Sequence, residues 1–134
     1  MRINRIALLF GLLLAGQEPF AAATDVIVIC NIAVSLKPDE IRDVYFGDKS
    51  FAGPIKLAPA DNSAVQAQFL EKVMRLDAKK YAGVWIKKAF RDGANPPSVR
   101  SNDAEAISYV KQTPGACSYV ASPPGDGVVI VAKF

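Results

Sequence analysis

Apolar and polar positions along the chain change period several times, and each change marks an element. "DVIVIC" (25–30) is a continuous apolar, β-branched run, the pattern of a strand covered on both faces. "SLKPDEIRDVYFG" then takes helical spacing. Pro38 suits a first turn, Asp39 and Glu40 lie near its positive end, Ile41, Val44 and Tyr45 share a face, and Gly47 is placed to end it. "PIKLAP" (54–59) predicts a short second strand, and strand–helix–strand predicts a right-handed crossover between parallel strands. In "PADNSAVQAQFLEKV" (59–73) a proline-marked turn passes into a helix with Val65, Phe69, Val73 and Met74 on one face. Asp61, Asn62 and Ser63 stand at that junction, all good N-caps.

Asp77 is placed to cap "AKKYAGVWIKKAFRDG", with Tyr81, Val84, Trp85 and Phe90 as buried candidates and Gly93 as the stop. "ANPPSV" reads as a loop, after which Ser101 or Asn102 caps "DAEAISYVKQT", turning Ala104, Ile107 and Val110 inward. Pro114-Gly115 turns the chain into a strand, "ACSYVA", and "SPPGDG" turns it again into the terminal strand "VVIVAKF". The predicted class is α/β: a small mixed β-sheet flanked by about four helices.

The first residues follow a different logic. Arg2 and Arg5 give a positive start, Ile6 to Ala15 is an apolar run of ten residues, and Ala21-Ala22-Ala23 supplies small residues for a signal peptidase. The run is too short for a bilayer, which needs roughly 20 residues. Residues 1–23 therefore read as an export signal, and 24–134 as a single domain of 111 residues in the periplasm or outside the cell. No stable membrane insertion is expected.

Composition narrows the chemistry. Without the signal the chain keeps 14 basic and 12 acidic residues, too even a balance to argue for nucleic acid. Lys79-Lys80 and Lys87-Lys88 with Arg91 are spaced around a helix as a solvated face. The chain has no histidine, which removes Ser-His and Cys-His nucleophile pairs and any histidine metal ligand. No carboxylate pairing implies acid–base catalysis, so neither an enzyme nor a cofactor is expected. Cys30 and Cys117 each sit in an apolar strand-like run. A disulfide, favoured by an oxidising compartment, and two small core thiols both remain open.

Three segments, in order, resemble the periplasmic phosphate-binding proteins and their relatives in the type 2 solute-binding superfamily. "LKPDEIRDVYFGDKSF" is similar to that family's "Ls-eeL-dIf-Gki-W" segment, with Phe51 near the expected tryptophan. "LAPADNSAVQAQFLEKV" lies where the family carries an arginine, then "gSGT" and a helix with phenylalanine. "SNDAEAISYVKQTPGACSYV" is close to "gs-eavv-aV-~tpGaIGYV". The resemblance covers most of 24–134 and implies one lobe of a two-lobe clamp, with relation to the substrate-binding components of phosphate ABC transporters.

Within that frame the implied ligand contacts are Asn62, Ser63, Ala64 and Val65, where free N–H groups at a helix start would hold a small anion such as phosphate. Arg100 and Ser101 stand at the next helix start, and Arg100 is the candidate to replace the family's clamping arginine. The departures are as informative. Ala64 replaces the loop glycine, Val65 replaces its threonine, Pro59 or Ala60 stands where the arginine would be, and the N-terminal lobe is absent. A single lobe offers one wall to a ligand that usually needs two. Two functions follow as expectations: weak anion binding by an exported solute-binding-like protein, or an adaptor that kept the lobe fold and lost the ligand. The adaptor's partner would be a transporter component or another periplasmic protein.

Overall fold

The computed structural model describes residues 25–134, so the segment read as an export signal lies outside the described residues. Strand β1 (Ile27–Asn31) is buried at every position, as a run apolar on both faces requires. Its side chains divide by parity. Val26, Val28 and Cys30 enter one core with Ile41, Val44, Tyr45, Phe69, Met74, Tyr81 and Trp85. Ile27 and Ile29 enter a smaller one with Ala106, Val110, Ala116 and Val120.

Helix α1 (Ile41–Tyr45) follows a 3-10 turn at Pro38–Glu40, and Gly47, at φ 75°, carries the chain out of it. A Cβ at Gly47 would press on the Trp85 ring at 2.7 Å, so this turn demands glycine for space as well as for φ. A small hairpin of β2 (Phe51–Ala52) and β3 (Ile55–Lys56) leads into β4 (Ala58–Asn62). Next come α2 (Gln66–Phe69), which widens into a π turn over Leu70–Met74, and α3 (Ala78–Asp92). Asp77 caps α3 by accepting from the Lys80 N–H at 2.8 Å, and Gly93 ends it at φ 67°. The chain closes with β5 (Ser98–Arg100), α4 (Asp103–Gln112), β6 (Ala116–Val120) and β7 (Val128–Lys133).

The main sheet has the order β5-β4-β6-β1-β7. β5, β4 and β6 are parallel; β1 is antiparallel to both β6 and β7. The mixed α/β class holds, with α1 to α3 packed on one face and α4 on the other. The expected crossover between parallel strands at β1–α1–β4 is corrected: β6 lies between those strands, and β1 runs opposite to β4. The "ANPPSV" loop is also corrected, because its end forms the edge strand β5 on β4. Phe90 is 96 % exposed and Ala104 is exposed, while Ala106 takes the inward place in α4. Helical spacing turned Tyr81, Trp85 and Val110 inward, as found, but misplaced Phe90 and Ala104.

Cys30 stands opposite Cys117 in the β1–β6 ladder, and their sulfurs are bonded. Gly115, in the turn before β6, holds φ 83°, and a Cβ there would collide with the Lys56 carbonyl. Its own carbonyl accepts from the Ala58 N–H at 2.8 Å, which seats β4 against β6. Among the described residues no helix is long and apolar enough to cross a membrane.

Candidate functional site

The parallel strands bring their carboxyl ends to one edge, where Asn62, Arg100 and the start of α4 meet. β4 and β6 pair only at Ala58–Ala116 and Pro59–Cys117, and beyond Pro59 side chains take over the ladder's role. Ser118 Oγ donates to the Ala60 carbonyl at 3.0 Å, and Asn62 Nδ2 to the Tyr119 carbonyl at 3.0 Å. Tyr45 Oη also donates to the Ala60 carbonyl, at 2.9 Å. The split sheet is filled with polar groups, each hydrogen-bonded, as burial demands.

This filling changes the role of Asn62. It is not the N-cap of α2; that position falls to Val65, with no side-chain cap. Asn62 is fully buried at the end of β4, and its Oδ1 accepts from the Ala64 N–H at 3.1 Å. The Ser63 N–H donates to the Arg100 carbonyl at 2.8 Å and the Val65 N–H to the Asn62 carbonyl at 3.0 Å. The N–H groups of residues 63, 64 and 65 are thus all engaged inside the protein. Ser63 is exposed, and its Oγ lies 3.3 Å from the Ser101 carbonyl, to which it donates.

At the next helix start, Asn102 is the cap, accepting from the Glu105 N–H at 2.9 Å, while Glu105 accepts from the Ser101 N–H at 3.1 Å. The structure therefore brings Asn62, Ser63, Ala64, Val65, Arg100 and Ser101 to one edge, but with the five N–H groups at 63, 64, 65, 101 and 105 committed. Arg100 turns away from this edge. Its guanidinium stacks on the Tyr109 ring at 4.0 Å, and Nη2 reaches Ser98 Oγ at 3.5 Å.

Two carboxylates at this edge went unnoticed as site residues in the sequence. Asp103 begins α4, where the helix dipole favours negative charge. Its Oδ1 accepts from Asn62 Nδ2 at 2.8 Å, and its Oδ2 from the N–H groups of Ala121 at 3.1 Å and Ser122 at 3.0 Å. A side-chain anion thus occupies a cradle of amide donors. Asp61, on the neighbouring position of β4, is 3 % exposed. It accepts from Tyr119 Oη at 2.8 Å and Tyr81 Oη at 3.0 Å. Burial pushes its carboxyl up to about 6, against the lowering effect of those two hydroxyls, and burial first, then the charge of Asp61, raises both tyrosines. The sequence signal was present: an aspartate inside "LAPADN" cannot point to water if both neighbours lie in a covered strand.

Among the described residues no cluster of three or more histidine, cysteine, aspartate or glutamate side chains is arranged to hold a metal ion. No family model matches the chain, and no curated protein matches it.

Proposed function

We propose that this chain is an exported, single-lobe relative of the solute-binding components of phosphate transporters that works by binding another periplasmic protein, and that its ancestral anion cradle is closed. The observation that carries this reading is that the cradle's own donors are engaged. The N–H groups of Ser63, Ala64 and Val65 bond to the Arg100 carbonyl, Asn62 Oδ1 and the Asn62 carbonyl, and Asp103 fills the neighbouring set of amide donors at Asn62, Ala121 and Ser122. Electrostatics act in the same direction. Asp61 and Asp103 place negative charge at the edge, and Arg100, which pairs with Asn62 in the sheet, stacks its guanidinium on Tyr109. The resemblance of "LKPDEIRDVYFG", "LAPADNSAVQAQF" and "TPGACSYV" to the phosphate-binding family supports the lineage, and the residues at its head support export. Contact with a partner is supported by α3, which presents Ile86 and Phe90, one turn apart, at 68 % and 96 % exposure.

Titrating inorganic phosphate into 15N-labelled protein tests the closed cradle. Up to roughly 10 mM phosphate, a range in which binding of about 4 kcal/mol registers, the amides of 62–66, 121 and 122 stay in place. In Asp103→Ala the same titration moves Ala121 and Ser122, because the phosphate replaces the lost carboxylate. Saturable shifts at 62–66 in the unaltered protein overturn the reading. Cross-linking in the periplasm yields a partner with the native chain and loses it with Phe90→Ser; the absence of any adduct with the native chain counts against the adaptor role.

A further inference from the structure

The groove between α3 and the β4–β5 edge holds about 420 Å3, within the range of small-molecule sites. Tyr81, Ala82 and Trp85 of α3 form one side, Pro97 and Val99 the other, and Asp61 belongs to its lining. The walls are apolar except for this carboxylate, the Tyr81 hydroxyl and the uncharged amide of Gln66, so Asp61 is the one charged group in the lining. We propose that this groove is a binding site for a small organic ammonium ion, a primary or secondary amine carried on an apolar body, with Asp61 as its counter-ion. The inference does not rest on the reading of the closed anion cradle. It concerns the other face of β4, since Asn62 points to α4 while Asp61 meets α3 through Tyr81.

The argument is one of unmatched charge. A buried carboxylate is costly unless a positive group or several strong donors offset it. Asp61 has two donors, both uncharged phenols, and no basic side chain acts on it among the described residues. A carboxylate accepts about four hydrogen bonds. Tyr119 Oη and, at 3.3 Å, Tyr81 Oη approach Oδ1, while only Tyr81 Oη, at 3.0 Å, approaches Oδ2, so Oδ2 keeps a lone pair for an ammonium proton. Elevation of the carboxyl to about 6 leaves it ionised at neutral pH, so the charge is present when a cation arrives. Trp85, Tyr81 and the small side chain of Ala82 line space for a ring or short alkyl group. A neutral ligand of the same shape would bury its apolar body equally well but leave Asp61 unpaired, and an anion would be repelled.

The test compares phenethylamine with 2-phenylethanol, its neutral counterpart, in 15N-labelled protein at pH 7.5. Phenethylamine is expected to move the amides of Asp61, Tyr81 and Val99 and the Trp85 indole N–H together and saturably. The alcohol should bind roughly tenfold more weakly or worse. Asp61→Asn should erase that preference. Ala82→Leu, an exposed position away from the carboxylate, should weaken the amine by a similar factor by filling the groove while the remaining spectrum stays native. Equal binding of amine and alcohol, no saturable shift at these residues, or undiminished binding in Ala82→Leu overturns the proposal. The last result, and the amine–alcohol comparison, need no change at Asp61 and decide the matter even if Asp61→Asn does not fold. Phosphate binding at 62–66 would defeat the closed cradle without touching this outcome.

Discussion

Asp61 and Asp103 lie at the carboxyl edge of one sheet, joined through Asn62, yet they meet opposite environments. Asp103 receives a side-chain amide and two backbone N–H groups at the start of a ten-residue helix. Asp61 receives two phenols at the side of a groove, with no base among the described residues acting on it. Bonds to either carboxylate are charge-assisted, so the contrast lies in number and setting: three amide donors at a helix start hold Asp103, while two phenols must hold Asp61 against burial. The first carboxylate closes a site by filling it. The second leaves an unmet charge beside open space, which is where binding chemistry remains available.

The largest blow to both environments comes through the strand they share. β6 carries Cys117, then Tyr119, and leads directly to the donors at Ala121 and Ser122. The Cys30–Cys117 bond spans a sequence separation of 87, for which chain-entropy arguments give about 4.6 kcal/mol. Cys30→Ala with Cys117→Ala should lower unfolding free energy by about that amount in urea. A loss below about 1 kcal/mol would mean that β-sheet packing alone fixes β6.

Next is the direct attack on the closed side. Asp103→Ala removes one of the two acceptors of Asn62 Nδ2, a fully buried group left with the Tyr119 carbonyl alone, and frees two backbone N–H groups. The expected cost is about 3 kcal/mol, measured by urea unfolding, and phosphate or acetate should return part of it. A neutral effect would show that water serves these donors as well as Asp103 does.

The open side is probed by pH. The carboxyl of Asp61 rises from 3.8 in the unfolded chain to about 6 in the fold. Between those values the native state holds a proton that the unfolded state has released. This contribution to stability is full below the unfolded value and is lost as pH rises through about 6. The protein should therefore be more stable at pH 5 than at pH 7.5 by about 1 kcal/mol from this group. In Asp61→Asn the difference should vanish. A wild-type protein that gains stability across the same interval would show that its tyrosine bonds outweigh burial.

Much of this molecule was legible in its sequence, and the illegible parts share a cause. Asp77, Gly47 and Gly93 act through bonds or dihedrals set within four residues, so local rules located the ends of α1 and α3. The buried faces of α1 and α2 followed from spacing alone. Strand order did not, because the insertion of β6 between β1 and β4 depends on residues about 90 positions apart. The same holds at the site. Nothing local sets Asp103 apart from other acidic residues at helix starts until β6 brings Ala121 and Ser122 to it, and Asp61 matches a cap by local rules until Tyr81 and Tyr119 enclose it.

Ser63 gives the smallest effect and separates local from tertiary logic most cleanly. As a helix cap, its hydroxyl would contribute about 1 kcal/mol, and Ser63→Ala would lose that with or without ligand. In the fold the hydroxyl makes one exposed bond of 3.3 Å to the Ser101 carbonyl, while the N–H, which alanine retains, donates to the Arg100 carbonyl at 2.8 Å. Holding the segment after β4 to the end of β5 is therefore the work of the backbone at this position. Ser63→Ala should change the unfolding free energy by less than about 0.5 kcal/mol, and phosphate should not alter that difference. A loss near 1 kcal/mol independent of phosphate would restore the cap. A loss that appears only with phosphate present would reopen the anion cradle and reverse the contrast between the two carboxylates.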